Sequence, residues 1–436
     1  MEGLDTALVA SLAASLVIWG LCSARLQRFD ISAPMVFVAL GLLFANPLGV
    51  VDVSSRSEWL HSLAEITLAL LLFSDAARVN LRVLARDAAV PARLLFLGLP
   101  LSIGLGAVLA GLLFSGVNPW VLAAIAASVA PTDAALGAQV VEDPHVPARI
   151  RRILNVESGL NDGIATPFVT FFLAAAVSEL TAHPAQSALG ALGDLGIGAL
   201  VGIAVGAGGG GLLKWATARG WANPNYRALT VVAFALLAYA GAVELGVNGF
   251  IAAFVGGLAF GSVFVPRERD TVLQFDAGMG SLLSLIVWFV FGAFLVPALD
   301  GVTWQSFVFA ALALTVVRMV PVALVLLRSG LDRSTVAFIG WFGPRGLASV
   351  VFALVVSDAL TGKDASLALS VISLTVLASV VAHGLSARPF ARVYGAHAAR
   401  LSRDSPEHDE VPHLASRPLP GSGKPAPREA GRVDDR

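Results

Sequence analysis

The chain has 436 residues, with 29 Lys+Arg against 30 Asp+Glu, 56% hydrophobic residues and only 14% charged ones. An ordinary soluble domain carries roughly 25% charged residues, so this composition excludes a soluble globular protein, and a neutral balance without a basic block excludes a nucleic-acid partner. A single cysteine, Cys22, excludes an internal disulfide framework and any Cys-based metal site.

Runs of about 20 mostly apolar residues, each long enough to cross a bilayer as a helix, recur along the chain. Thirteen are read, at 4–24, 31–48, 58–76, 91–115, 119–140, 150–178, 187–213, 226–244, 246–264, 277–297, 304–327, 334–357 and 366–388. The first lacks a basic flank and a cleavage site, and reads as an uncleaved span. Glycine inside the runs, as in 196–211, suits close helix contact in lipid. Loops after odd-numbered spans hold 16 Lys and Arg, whereas those after even-numbered spans hold only Arg56 and Lys363. Positive charge marks the cytoplasmic side, so the N-terminus is expected outside and the C-terminus in the cytoplasm. Residues 397–436 carry Pro418, Pro420, Pro425 and Pro427 among charges of both signs and read as a disordered tail.

Ionisable side chains deep in apolar runs are costly and mark function. Span five reads Ala130-Pro131-Thr132-Asp133. Pro131 removes a backbone donor in mid-span, and the freed groups need protein, water or an ion. Span six carries Glu157, Ser158, Asn161 and Asp162. The pairs Glu157/Asn161 and Ser158/Asp162 are each i,i+4, so an oxygen-rich flank suited to a hard cation is expected. Span eleven carries Arg318. A central Arg costs about 2.5–3.5 kcal/mol on insertion scales, so an acidic partner is expected, with Glu157 and Asp133 as candidates. Span twelve reads Gly343-Pro344-Arg345-Gly346, a second break with a second buried cation. Spans five and twelve are seven apart and so run in opposite directions. Interrupted helices at matching positions of two inverted halves point to a transporter's midplane site. His61 and Glu65 in span three fit either a water-filled funnel or a polar helix contact. Asp75 and Asp194 lie near span ends and read as interfacial. No Walker loop or Gly-x-Ser-x-Gly elbow is present.

Taken together, Pro131-Thr132-Asp133, Glu157-Ser158-Gly159-Leu160-Asn161-Asp162-Gly163, Leu70-Leu71-Leu72-Phe73-Ser74-Asp75, Arg318 and Gly343-Pro344-Arg345-Gly346 closely resemble the monovalent cation/proton antiporter-1 family, the NhaP-type sodium/hydrogen exchangers, over about residues 5–390. The resemblance implies an all-α polytopic fold of thirteen transmembrane helices, with an inverted-repeat six-helix core, two crossed broken helices and a scaffold that dimerises. The expected division is scaffold 1–90, core 91–178, scaffold 185–300, core 303–390 and tail 397–436. It further implies that Asp162 carries the ion and the proton. Asp133, the Thr132 carbonyl, Ser158 and Asn161 complete or shape the site for Na⁺ or Li⁺, with K⁺ open. Glu157 pairs with Arg318, and Arg345 stabilises the second break. No cofactor or nucleotide is implied. Two departures stand out: Gly-Pro-Arg-Gly where exchangers often have Gly-Leu-Arg-Gly, and a tail without the long regulatory region of animal exchangers.

Beside the resemblance, one buried carboxylate that holds either a proton or a metal ion, combined with alternating access, gives exchange without ATP. A channel would need a continuous lined pore, and an intramembrane protease its own catalytic motif. An organic-solute symporter would need a larger polar pocket, and a sensor an output domain.

Overall fold

The computed structural model describes residues 6–53, 57–79, 88–133, 136–141, 143–179, 184–264, 269–402 and 404–409. Arg56, Arg82, Arg86, Arg267 and the tail from 410 lie outside them. Among the described residues all regular structure is helical. In chain order the helices are α1 (Thr6–Gln27), α2 (Ala33–Ala45), α3 (Glu58–Arg78), α4 (Ala89–Leu113, with a π-helical turn at Leu94–Gly98), α5 (Pro119–Val129), α6 (Ala138–Val141), α7 (Ala148–Glu179) and α8 (Pro184–Ala218). They continue with α9 (Pro224–Glu244), α10 (Gly249–Val263), α11 (Arg269–Ala298), α12 (Trp304–Leu314), α13 (Val316–Val325), α14 (Arg333–Trp341), α15 (Leu347–Ala359) and α16 (Gly362–Ala398).

Nine spans among the described residues are long and apolar enough to cross a membrane, and four shorter apolar helices, α2, α5, α10 and α15, fall on the remaining runs. The thirteen-span layout therefore holds, with the two expected breaks and one further interruption inside it. Span five is helical only to Val129. It leaves the helix at Ala130–Asp133 and resumes as the short α6. Span twelve divides into α14 and α15 around the five residues Phe342–Gly346. Span eleven, expected to be continuous, is interrupted at Thr315 (φ −114°, ψ −88°), whose hydroxyl donates back to the Ala311 carbonyl. Such back-bonding competes with the helix ladder and bends helices.

The last span outruns its expected end at 388 by ten residues and takes in the first two of the expected tail. Ala387, Ala391, Tyr394 and Ala398 recur at helical spacing and are buried against Ile150, Phe338 and Phe342, so packing carries the helix through Pro389. Residues 404–409 are also ordered. They fold a 3₁₀ turn at Pro406–His408, with the Glu407 side chain buried. The expected boundary of a disordered tail at 397 is thus too early.

The described helices pack most closely in two sets, which also touch each other through α7 with α8 and α3 and through α15 with α3. α2 lies on α11, and α10 on α3 and α8; the α8–α10 contact is close enough that a Cβ on Gly206 would collide with the Gly256 carbonyl. The second set packs α4, α5 and α7 with α12–α16. Between them lies an apolar cavity of about 400 Å³, lined by Leu95, Phe96 and Pro100 of α4, Gly163, Ile164, Pro167 and Phe168 of α7, Leu195 of α8, and Ile251, Phe254 and Val255 of α10.

Candidate functional site

The two broken helices meet at their breaks. The Asp133 N–H donates to the Pro344 carbonyl at 2.7 Å. The Asp133 carboxylate accepts from the N–H of Leu347, the first residue of α15, at 3.1 Å and from the Leu136 N–H at 3.4 Å. Arg345, fully buried, reaches the other way. Its guanidinium donates to the carbonyls of Ala130 at the end of α5 (3.1 Å), Gly343 (3.0 Å) and Ala313 near the end of α12 (3.0 Å). Helix N-termini carry partial positive charge and C-termini partial negative charge. Each break therefore offers the other's helix end the side chain of opposite sign. The glycines of Gly343-Pro344-Arg345-Gly346 allow the crossing. A Cβ on Gly346 would collide with the Asp133 carboxylate, and one on Gly343 would lie 2.6 Å from Arg318 Nε and 2.9 Å from Thr132 Cγ2.

Helix α7 passes beside this crossing. The hydroxyls of Thr132 and Ser158 lie 2.9 Å apart, and Asn161 Nδ2 donates to the Thr132 hydroxyl at 2.6 Å. Thr132 thus enters the cluster through its side chain. Asn161 Oδ1 is buried without a hydrogen-bond partner among the described residues, an oxygen open to a positive ligand. Asp162 follows directly, one turn on from Ser158 and partly buried; its main-chain carbonyl accepts from the Thr166 hydroxyl at 2.8 Å. Glu157 and Arg318 are both buried and form a bidentate pair, Nη1–Oε1 at 2.5 Å and Nη2–Oε2 at 2.8 Å. Of the two candidate partners for Arg318, the pair is made with Glu157. The described groups at the crossing are the Asp133 carboxylate, the Thr132 and Ser158 hydroxyls and the Asn161 amide oxygen, donors of the kind a hard cation takes.

Other polar residues of the sequence fall into place. Glu65 accepts from Tyr239 OH at 2.7 Å, a polar contact between α3 and α9. Asp75, read as interfacial, faces α7: a Cβ built on Gly159 would lie 4.0 Å from its Cβ. Two residues passed over in sequence are Ser379 and His383, buried at the second break. Their signal was available, as an i,i+4 polar pair inside the apolar run 366–388.

The transmembrane sodium/hydrogen exchanger family matches residues 11–393. The chain belongs to that family. This family of cation/proton antiporters consists of transporters, and the spanning helices make this member an integral membrane protein. The chain is 27% identical over 304 residues to a Na⁺/H⁺ antiporter of Schizosaccharomyces pombe, covering 60% of this chain and 62% of that one. It is 26% identical over 384 residues to the K⁺/H⁺ antiporter NhaP of Alkalimonas amylolytica, covering 85% of this chain and 64% of that one. It thus spans under two thirds of the length of these curated relatives. Among solved structures, the sodium proton antiporter MjNhaP1 of Methanocaldococcus jannaschii at pH 8 superposes with a TM-score of 0.68 at 18% identity, over 86% of this chain and 98% of that one. The family model shows the exchanger family, and the structural comparison shows the fold.

Proposed function

We propose that this family member is a secondary-active antiporter that exchanges Na⁺ or Li⁺ for H⁺ by alternating access. The observation that carries the reading is the oxygen cluster at the crossing: Asp133 tied to the second break, and Thr132, Ser158 and Asn161 joined to one another beside Asp162. In this reading Asp162 holds either the cation or the proton. Asp133, Ser158, Thr132 and Asn161 supply or shape the rest of the cation shell. Arg345 neutralises the carbonyl ends at the breaks, and the Glu157–Arg318 pair braces α7 against α13. Proton and metal compete for the same oxygens, so cation affinity falls as pH falls.

Exchange is one cation for one proton. In this scheme the charge of Glu157 stays matched by Arg318 and that of Asp133 by the N-terminal end of α15, and Asp162 is the exchanging carboxylate that the family resemblance implies. The sequence's charge asymmetry supports a cell-membrane protein with its N-terminus outside and its C-terminus in the cytoplasm. The family resemblance supports a homodimer built on the scaffold helices. No resident cofactor enters this scheme, because the transported ions are substrates.

K⁺/H⁺ exchange is the second reading, favoured by the name of the Alkalimonas amylolytica relative. The deciding experiment is exchange in proteoliposomes carrying a pH dye, titrated with Na⁺, Li⁺, K⁺ and Rb⁺ in turn, with and without a valinomycin-imposed potential. Alkalinisation by Na⁺ or Li⁺ that ignores the potential is the expected result. Response to K⁺ alone selects the second reading, voltage-dependent flux overturns the stoichiometry, and no response to any cation overturns antiport.

A further inference from the structure

We propose that Ser379 and His383 of α16 are positioning residues that hold the second helix break in the register setting cation affinity and size discrimination; this deepens the antiport reading and rests on it. Both are buried and stand one turn apart. Ser379 Oγ accepts from the Arg345 N–H at 2.6 Å. His383 Nε2 lies 2.9 Å from the carbonyl of Trp341, the last residue of α14. A carbonyl only accepts, so Nε2 carries the proton. His383 Nδ1 lies 3.1 Å from Ser379 Oγ and 3.0 Å from the Ser379 carbonyl. Nδ1 meets Ser379 either as acceptor from the hydroxyl or as donor to the carbonyl, and in both cases the ring is anchored to Ser379. The bonded groups then run from the Arg345 N–H through Ser379 and His383 to the Trp341 carbonyl.

This short chain bridges most of the break from one turn of a continuous helix. Trp341 is fastened a second time, its indole Nε1 donating to Ser386 Oγ at 2.9 Å and its ring lying 5.2 Å from the imidazole. What hangs on the break is the site itself. Pro344 accepts the Asp133 N–H, Leu347 donates to the Asp133 carboxylate, and Arg345 holds the carbonyl end of α5. Asp133 therefore moves with the break. Discrimination between small cations depends on cavity size and rigidity, and a site left loose by about 1 Å fails even when its ligands are present.

The test compares His383→Gln, His383→Phe and Ser379→Ala with wild type in proteoliposomes, alongside hydrogen–deuterium exchange of the purified proteins over residues 342–347. Gln keeps an N–H for the Trp341 carbonyl; Phe removes the link to α16 and leaves that carbonyl only the Gly343 N–H, at 2.8 Å. His383→Phe and Ser379→Ala are expected to raise the KM for Na⁺ on the order of tenfold, with a smaller loss in kcat and a reduced preference between Na⁺ and K⁺. His383→Gln should recover most of the affinity, and the Arg345 amide should exchange faster in Ser379→Ala. Unchanged KM and unchanged protection in Ser379→Ala, or equal losses in the Gln and Phe variants, overturn the proposal. Wild-type liposomes that move no cation defeat the antiport reading instead. Amide exchange, together with thermal stabilisation by added Na⁺, then decides whether the pair holds the break.

Discussion

Asp133 and Arg345 lie at the same crossing but do different work: one reaches the start of α15, the other the end of α5. Asp162 lies one turn on from Ser158 beside this crossing, and the proposed scheme gives it the transported charge. Asp162→Asn is expected to abolish cation-driven pH change while the purified protein keeps its melting temperature within a few degrees. Robust exchange by a folded variant would remove Asp162 from the mechanism. Glu157 and Arg318 are different again, since each buried charge has the other as its bidentate partner. Breaking such a pair costs about 3–5 kcal/mol, because one charge is left uncompensated. Glu157→Gln and Arg318→Ala should each lower the melting temperature in detergent, and unchanged melting in both would show that the pair bears no load. These residues were legible in the sequence because an acid or an arginine inside an apolar run has few structural excuses. Ser379 and His383 were not singled out. Ser and His are common enough in helices, and their meaning here comes from two main-chain groups 34 and 42 residues away in sequence.

At the scale of elements, periodicity read the spans well because lipid leaves the backbone little choice but helix. It failed where a side chain or a distant segment decides the matter. Thr315 breaks span eleven without a glycine to announce it, and α16 runs past Pro389 because its apolar face has a partner. Residues 404–409, polar in sequence, are held in place for the same reason. Buried Glu407 accepts from the Asp332 N–H at 2.7 Å and from the Thr335 hydroxyl at 3.0 Å, while Arg149 at the start of α7 donates to the Pro406 carbonyl and to Asp409. The segment thereby ties the start of α7 to the start of α14, the two helices that lead into the site. Asp332 caps α14 through the Ser334 N–H at 2.8 Å and meets the His397 ring at 3.0 Å. Its slight burial pushes the carboxyl up, but the bonds from Ser334 and His397 outweigh that and leave it below the usual aspartate range. A carboxyl depressed in the folded state stabilises above its unfolded pKa, about 3.9, and the contribution is lost as pH falls through the lower folded value. Wild type should therefore melt higher than Asp332→Asn from neutral pH down to about 4, and the gap should close in stronger acid. No gap at neutral pH, or a gap that persists unchanged into stronger acid, would mean the charge contributes nothing.

Among the described residues the helices pack in two sets that also touch each other, through α7 with α8 and α3 and through α15 with α3. Within each set helices interlock, as at Gly206 on Gly256 or at the crossing of the breaks. Between them, α4 and α7 face α8 and α10 across an apolar cavity of about 400 Å³ with few polar groups to fix one register. Such a boundary suits sliding, since apolar surfaces exchange partners without stranding hydrogen bonds. If the set carrying the site moves against the other to expose the ion alternately, a covalent tie across the boundary must stop transport without touching the site chemistry. Gly159 on α7 and Asp75 on α3 provide the place, because a Cβ on Gly159 would lie 4.0 Å from that of Asp75. Disulfides span Cβ separations of about 3.5–4.5 Å. In a Cys22→Ser background, which removes the chain's one native thiol, Gly159→Cys with Asp75→Cys should cross-link under mild oxidation. Exchange should fall to the liposome background when the bond is closed and return on reduction. Each single cysteine, oxidised in parallel, separates this effect from the loss of the Asp75 carboxylate. A double variant that is fully cross-linked by mass spectrometry yet transports at the reduced rate would show that α7 and α3 keep their places through the cycle, and the moving boundary would then have to lie elsewhere in the fold.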